Sequence, residues 1–206
     1  MSRRPAKPAA ATARNKTLAL FAAFVAGAAI LVVAVTLLLP RTPLPGIASA
    51  IGGPFTLVDQ NGVQVSEKDL AGKPTLIFFG FTHCPDICPT ALFEMSEIFN
   101  ALGPDADKAQ AMFVSVDPER DTPEILKSYL GSFAPQLRGL TGTPEQVKQM
   151  EKAYRVYSRK VPLEGEDYTM DHTAVVYLMD KSGAYAAPFN SKQPPEAAAN
   201  ELKRYF

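Results

Sequence analysis

The apolar and polar positions divide this chain into one long apolar run followed by a series of short ones. Residues 18–39 (LALFAAFVAGAAILVVAVTLLL) hold 22 positions without a charge. At 1.5 Å per helical residue they reach about 33 Å, close to the thickness of a hydrocarbon core. The run predicts one N-terminal transmembrane helix. Proline, glycine and small residues dominate 40–53, which reads as a linker. The folded domain is expected over 54–206.

Inside that domain the pattern alternates between strand and helix. Phe55 to Val58, then Asn61-Gly62, then Val63 to Val65 reads as a hairpin, because Asn-Gly supplies the positive φ that a tight turn needs. Thr75 to Phe81 (TLIFFGF) is a continuous apolar run, expected of a central strand buried on both faces. Leu92, Met95, Ile98, Phe99 and Leu102 recur at spacings of three and four, which predicts a helix from about 89 to 102. Phe93, Met95, Phe99 and Met112 are read as core positions. Ala111 to Val116 repeats the buried-strand pattern. Thr122-Pro123-Glu124 and Thr143-Pro144-Glu145 each open a helix, the second reaching about Tyr157. Thr173 to Met179, a turn at 180–183 and Ala184 to Phe189 form a second hairpin, and a last helix follows Pro194-Pro195. The order β-β-β-α-β-α-α-β-β-α predicts an α/β fold with a mixed central sheet flanked by helices.

Charge adds a direction to this plan. The net charge is zero, which gives no sign of a nucleic-acid partner. Arg3, Arg4, Lys7, Arg14 and Lys16 nevertheless precede the apolar run without any acid, leaving 16 of the 21 basic residues to face all 21 acids. Positive charge stays on the cytoplasmic side, so residues 1–17 are expected in the cytoplasm and everything after the span outside it. Ala48-Ser49-Ala50 resembles a signal-peptidase site, but secretory apolar regions run roughly 7–15 residues. The anchor is therefore read as retained, and the short basic tail suits a bacterial inner membrane with a periplasmic domain.

Candidate chemistry centres on the only two cysteines, four residues apart in Thr82-His83-Cys84-Pro85-Asp86-Ile87-Cys88-Pro89. Each precedes a proline, which disfavours helical backbone, so neither is expected inside a regular helix. Pro89 suits a first helical position. Cys88 then falls near the helix N-terminus, whose dipole should favour thiolate, most at Cys88. Such a pair can chelate a metal, close a disulfide or act as redox-active thiols. A structural disulfide is disfavoured because the loop it would close is so short. A third ligand must come from elsewhere. His172, at the entry to the Thr173 to Met179 strand, lies at the cysteine end of the sheet if that strand pairs with Thr75 to Phe81. His83 adjoins Cys84, but neighbouring side chains in extended backbone point to opposite faces, so it is read as a local hydrogen-bonding group. Two thiolates and an imidazole suit copper, and also zinc completed by water.

Taken together, Gly80 to Pro89, the segment Ser115-Val116-Asp117-Pro118-Glu119-Arg120-Asp121-Thr122-Pro123 and Asp171-His172 closely resemble the SCO/SenC family over roughly residues 50 to 206. The resemblance implies a thioredoxin-like fold that binds copper as Cu(I) or Cu(II) through Cys84, Cys88 and His172. It also implies a role in building the dinuclear copper centre of cytochrome c oxidase subunit II, with another periplasmic copper chaperone or a thiol reductant as a further partner. The competing reading is a thiol-disulfide oxidoreductase acting on cysteines of the oxidase subunit or of another chaperone. A peroxidase of the peroxiredoxin type is disfavoured, because that family places threonine three residues before its reactive cysteine, where Phe81 stands here. In the 117–123 segment, local chemistry accounts for Asp121, Thr122 and Pro123 as a polar loop and helix cap, and any role of the segment beyond that stays open.

Overall fold

The computed structural model describes residues 25–28, 51–165 and 167–206. The chain divides into two units, Met1–Leu44 and Pro45–Phe206. In the first, residues 25–28 are helical and exposed, and the remainder of the span expected at 18–39 lies outside the described residues. Among the described residues no helix is long and apolar enough to cross a membrane.

In the second unit, β1 (Thr56–Asp59) and β2 (Gln64–Ser66) form the expected hairpin. Gly62 adopts φ 77° in its turn, and Asp59 Oδ1 accepts hydrogen bonds of 2.9 Å from the backbone N–H groups of Asn61 and Val63. β3 (Thr75–Gly80) is buried along its whole length. It lies between β4 (Gln110–Ser115), which runs parallel, and β8 (Val176–Met179), which runs antiparallel. Neighbours on both sides, with both faces covered, are what an unbroken apolar run demands. With β5 (Leu137–Thr141) and β9 (Tyr185–Phe189), the sheet order is β2-β1-β5-β4-β3-β8-β9. Helices α1 (Ile87–Leu102), α2 (Pro123–Leu130), α3 (Pro144–Tyr154) and α4 (Pro195–Lys203) flank the sheet, α1 against α4, α2 against β5 and α3 against β1. The mixed α/β architecture expected from the sequence is therefore present.

Local chemistry sets several boundaries. Thr122 and Thr143 cap α2 and α3 as anticipated, their hydroxyls accepting from the N–H of Ile125 and Gln146 at 3.3 Å, each worth about 1 kcal/mol. α3 stops at Tyr154, short of Tyr157, because Arg155 turns into the left-handed region at φ 57° and its N–H bonds back to the carbonyls of Glu151 and Lys152. Met95, Phe99 and Met112 are core residues, but Phe93 is 61% exposed. It stands one position off the stripe defined by Leu92, Met95 and Phe99.

Three strands escape the sequence pattern. β5 (LRGLT) is interrupted by Arg138 and Gly139, and the glycine is needed because a Cβ there would fall 2.6 Å from Leu130 Cδ1 on α2. β6 (Ser158–Pro162) and β7 (Tyr168–His172) make a separate two-stranded ribbon. Its residues are exposed or half-buried throughout, so no apolar alternation marks it. The strand expected at Thr173 begins only at Val176.

Register decides where chemistry can occur. Gly80 pairs with Ser115 across β3 and β4, and Phe78 faces Val176 across β3 and β8. The segments leaving β3, leaving β4 and entering β8 therefore meet at one end of the sheet.

Candidate metal centre

The segment leaving β3 carries both cysteines. α1 begins at Ile87, so Cys88 lies in its first helical turn and not before it. The proline after it is tolerated because the first four N–H groups of a helix have no intrahelical partner to lose; the Thr90 N–H bonds to the Asp86 carbonyl at 3.2 Å. Cys84 remains in the loop, and its sulfur accepts the backbone N–H of Cys88 at 3.3 Å. Cys88 is fully buried and Cys84 half-buried, both as free thiols.

Gly80 makes room for this arrangement. A Cβ at position 80 would sit 2.8 Å from Cys88 Sγ and 2.7 Å from Phe113 Cε2. The last residue of the central strand must therefore lack a side chain for the buried thiol to pack where it does.

His172, the final residue of β7, reaches the same place from the ribbon. Its Nε2 lies 3.7 Å from Cys88 Sγ. Its Nδ1 is 3.1 Å from the Thr173 carbonyl; a carbonyl can only accept, so Nδ1 carries a proton there and Nε2 is the ring nitrogen left to ligate beside the thiols. A hydrogen bond of this kind orients a ligating imidazole. Phe78 and Phe81 wall the ring in edge-on contacts, with centroids at 6.2 and 5.8 Å. One sulfur from each cysteine and one imidazole nitrogen thus lie within 4.8 Å of one another. The pairing of β8 beside β3 that this required is present.

Two expectations change. Burial pushes the Cys88 thiol up, and proximity to Cys84 and Asp121 adds to the effect, although a backbone hydrogen bond with Phe81 opposes it. Desolvation overrides the helix dipole, so the metal-free centre holds Cys88 as a neutral thiol that must release its proton on ligation. The second change concerns Asp121, for which local chemistry offers only a helix cap. It is fully buried, and its carboxylate accepts from Thr82 N (3.1 Å), Thr82 Oγ1 (2.6 Å) and Ser115 Oγ (2.6 Å). Asp121 therefore ties the cysteine loop to the end of β4. The apolar strand ends flanking both partners point to burial there, but sequence spacing gives no sign of the link between Asp121 and Thr82. His83 is exposed, 3.2 Å from Thr82 Oγ1 through its Nδ1, and stands outside the cluster.

The donor set fits copper: two soft sulfurs and an imidazole suit Cu(I) well and Cu(II) adequately. Fold and site together define a mixed α/β domain that carries a dithiol-histidine centre for soft-metal or thiol redox chemistry. The chain belongs to the SCO1/SenC family, whose model matches residues 45–206. It is 46% identical over 132 residues to the mitochondrial SCO1 homolog 1 of Arabidopsis thaliana, spanning 64% of this chain and 40% of that protein. It is 61% identical, with a TM-score of 0.75, to the copper-bound structure of Bradyrhizobium japonicum ScoI, covering 76% of this chain and all of that one. It is 28% identical, with a TM-score of 0.60, to BsSco, covering 79% of this chain and 95% of that one. BsSco is described as a member of the Sco family of cytochrome c oxidase assembly proteins with a disulfide switch.

Proposed function

We propose that this chain is a membrane-anchored copper chaperone that delivers copper, or the reducing equivalents copper insertion needs, to the dinuclear copper centre of cytochrome c oxidase subunit II. Copper is its cargo, and Cys84, Cys88 and His172 are the ligands. The convergence of two sulfurs and one imidazole nitrogen within 4.8 Å carries the reading, supported by similarity to a protein solved with copper bound. The half-exposed Cys84 gives an acceptor a place to begin ligand exchange. Residues 1–17 form the cytoplasmic tail, 18–39 the single inner-membrane span, 40–53 the linker and 54–206 a thioredoxin-like periplasmic domain, which places the site where oxidase copper is installed.

The full-length chain, purified in detergent and reduced, should bind one copper ion. Cys84→Ser, Cys88→Ser and His172→Ala should each lose most of it, read by metal analysis after gel filtration. A reduced wild-type chain that binds no copper would overturn the proposal.

The close approach of the Cys88 N–H to Cys84 Sγ, at 3.3 Å, also supports thiol-disulfide exchange, with one thiolate attacking a partner's disulfide and the second resolving the mixed disulfide. The two activities are compatible, because reduction must precede metal binding. Oxidase assembly in cells that survives His172→Ala but not either cysteine substitution would assign reductase activity as the dominant one.

A further inference from the structure

The three donors come from parts of the fold with very different support. The cysteines hang from the central strand, whereas His172 ends a polar two-stranded ribbon outside the main sheet. A lone two-stranded ribbon is marginal in water, so something must hold it against the thiols.

The turn that follows β4 reaches in both directions. Asp121 grips Thr82 in the cysteine loop, as above. Four residues earlier, Asp117, almost fully buried, accepts the Tyr168 hydroxyl on Oδ1 at 2.9 Å and Arg120 Nε on Oδ2 at 2.5 Å. Arg120 donates from Nη1 to the Tyr168 carbonyl at 2.9 Å and stacks its guanidinium 3.8 Å from the centre of the Tyr168 ring. Tyr168 is thus held at hydroxyl, ring face and backbone. It stands at the opposite end of β7 from His172 and, four residues away, on the same face of the strand. The Arg120 guanidinium also lies 5.9 Å from the ring of Phe81, whose edge-on contact with His172 was noted above.

We propose that Arg120 and Asp117, acting through Tyr168, are positioning residues for His172, so that the Asp117 to Asp121 turn sets the third ligand against the cysteine pair. The inference rests on the reading of Cys84, Cys88 and His172 as the copper site. A buried ion pair adds little net stability, and its best-attested use is to fix geometry; here Nε and Nη1 of Arg120 hold Asp117 and the ribbon, while its buried Nη2 is left without a partner.

The test uses the full-length chain in detergent, comparing Arg120→Met, Tyr168→Phe and Arg120→Lys with wild type and His172→Ala. Arg138→Met serves as control: it removes a comparable Arg–Asp pair, Arg138 with Asp59 at 2.9 Å, away from the site. Arg120→Met should speed copper release to a chelator about 10-fold, the low end of what losing a partner bonded directly to a ligand does to affinity, because Arg120 acts through Tyr168. It should also shift the Cu(II) visible spectrum toward that of His172→Ala. Tyr168→Phe, which keeps the ring and is the gentler variant, should move both readouts less in the same direction, and Arg120→Lys should restore part of the effect. Arg138→Met should lower thermal stability with spectrum and release unchanged. In the reduced, metal-free protein, Arg120→Met and Tyr168→Phe should move the His172 imidazole NMR resonances, whereas Arg138→Met should not. Unchanged imidazole resonances in Arg120→Met and Tyr168→Phe would overturn the inference whether or not copper binds. Wild-type protein that binds no copper, with the NMR shifts still seen in Arg120→Met and Tyr168→Phe, would overturn the copper reading and leave the positioning role standing.

Discussion

The cysteine limb and the histidine limb of the centre are built on different principles. Cys84 and Cys88 leave a fully buried strand that is hydrogen-bonded on both edges, and Cys88 packs so tightly that Gly80 tolerates no side chain. His172 arrives on a half-buried strand of a separate ribbon that polar contacts help to fasten. One limb is positioned mainly by hydrophobic packing; the other combines charge-assisted hydrogen bonds at Tyr168 with the packing of Met170 on the core and of the His172 ring between Phe78 and Phe81. Disturbing the first should therefore damage the fold, and disturbing the second should damage the site while the fold survives.

The largest effect that would sharpen this contrast is Phe79→Ala in the middle of β3, where the ring is fully buried. It should lower stability by about 3–5 kcal/mol, measured by urea denaturation, and carry the cysteines with it. Gly80→Ala should follow at about 1–3 kcal/mol, with a disproportionate loss of copper because the new methyl meets Cys88 Sγ. Asp121→Ala strands the Thr82 N–H and two hydroxyls, and about 1–3 kcal/mol is expected. Lys160→Ala, which breaks the exposed Lys160–Glu119 pair at 2.6 Å on the ribbon, should change stability by less than about 1 kcal/mol. A ribbon substitution that unfolded the domain as readily as Phe79→Ala would break the contrast.

The same contrast explains what the sequence disclosed. TLIFFGF and AMFVSV announce themselves because burial on two faces leaves no polar positions, and the cysteine loop follows directly from the first. The Asn61-Gly62 turn and the threonine caps are equally local and equally legible. The ribbon is not, since polar strands held by Arg120, Asp117 and Tyr168 leave no periodic trace. His172 could be tied to the site only through the family resemblance and the inferred pairing of β8 with β3. The protonation of Cys88 escapes the sequence for a related reason: proximity to a helix N-terminus can be read along the chain, but the full burial of this thiol is a property of the assembled core. Asp121 is equally hidden: along the chain it reads only as a cap for the helix that follows, whereas its partners are Thr82, 39 residues earlier, and Ser115.

The central claim is that both limbs deliver their ligands to one ion. X-ray absorption at the copper edge of the reduced, Cu(I)-loaded full-length chain, with His172→Ala alongside, tests it most directly. Two sulfur scatterers and one imidazole nitrogen in wild type, with the imidazole signal lost in the variant, are the predicted result. A wild-type spectrum with sulfur ligands alone, unchanged by His172→Ala, would contradict the account.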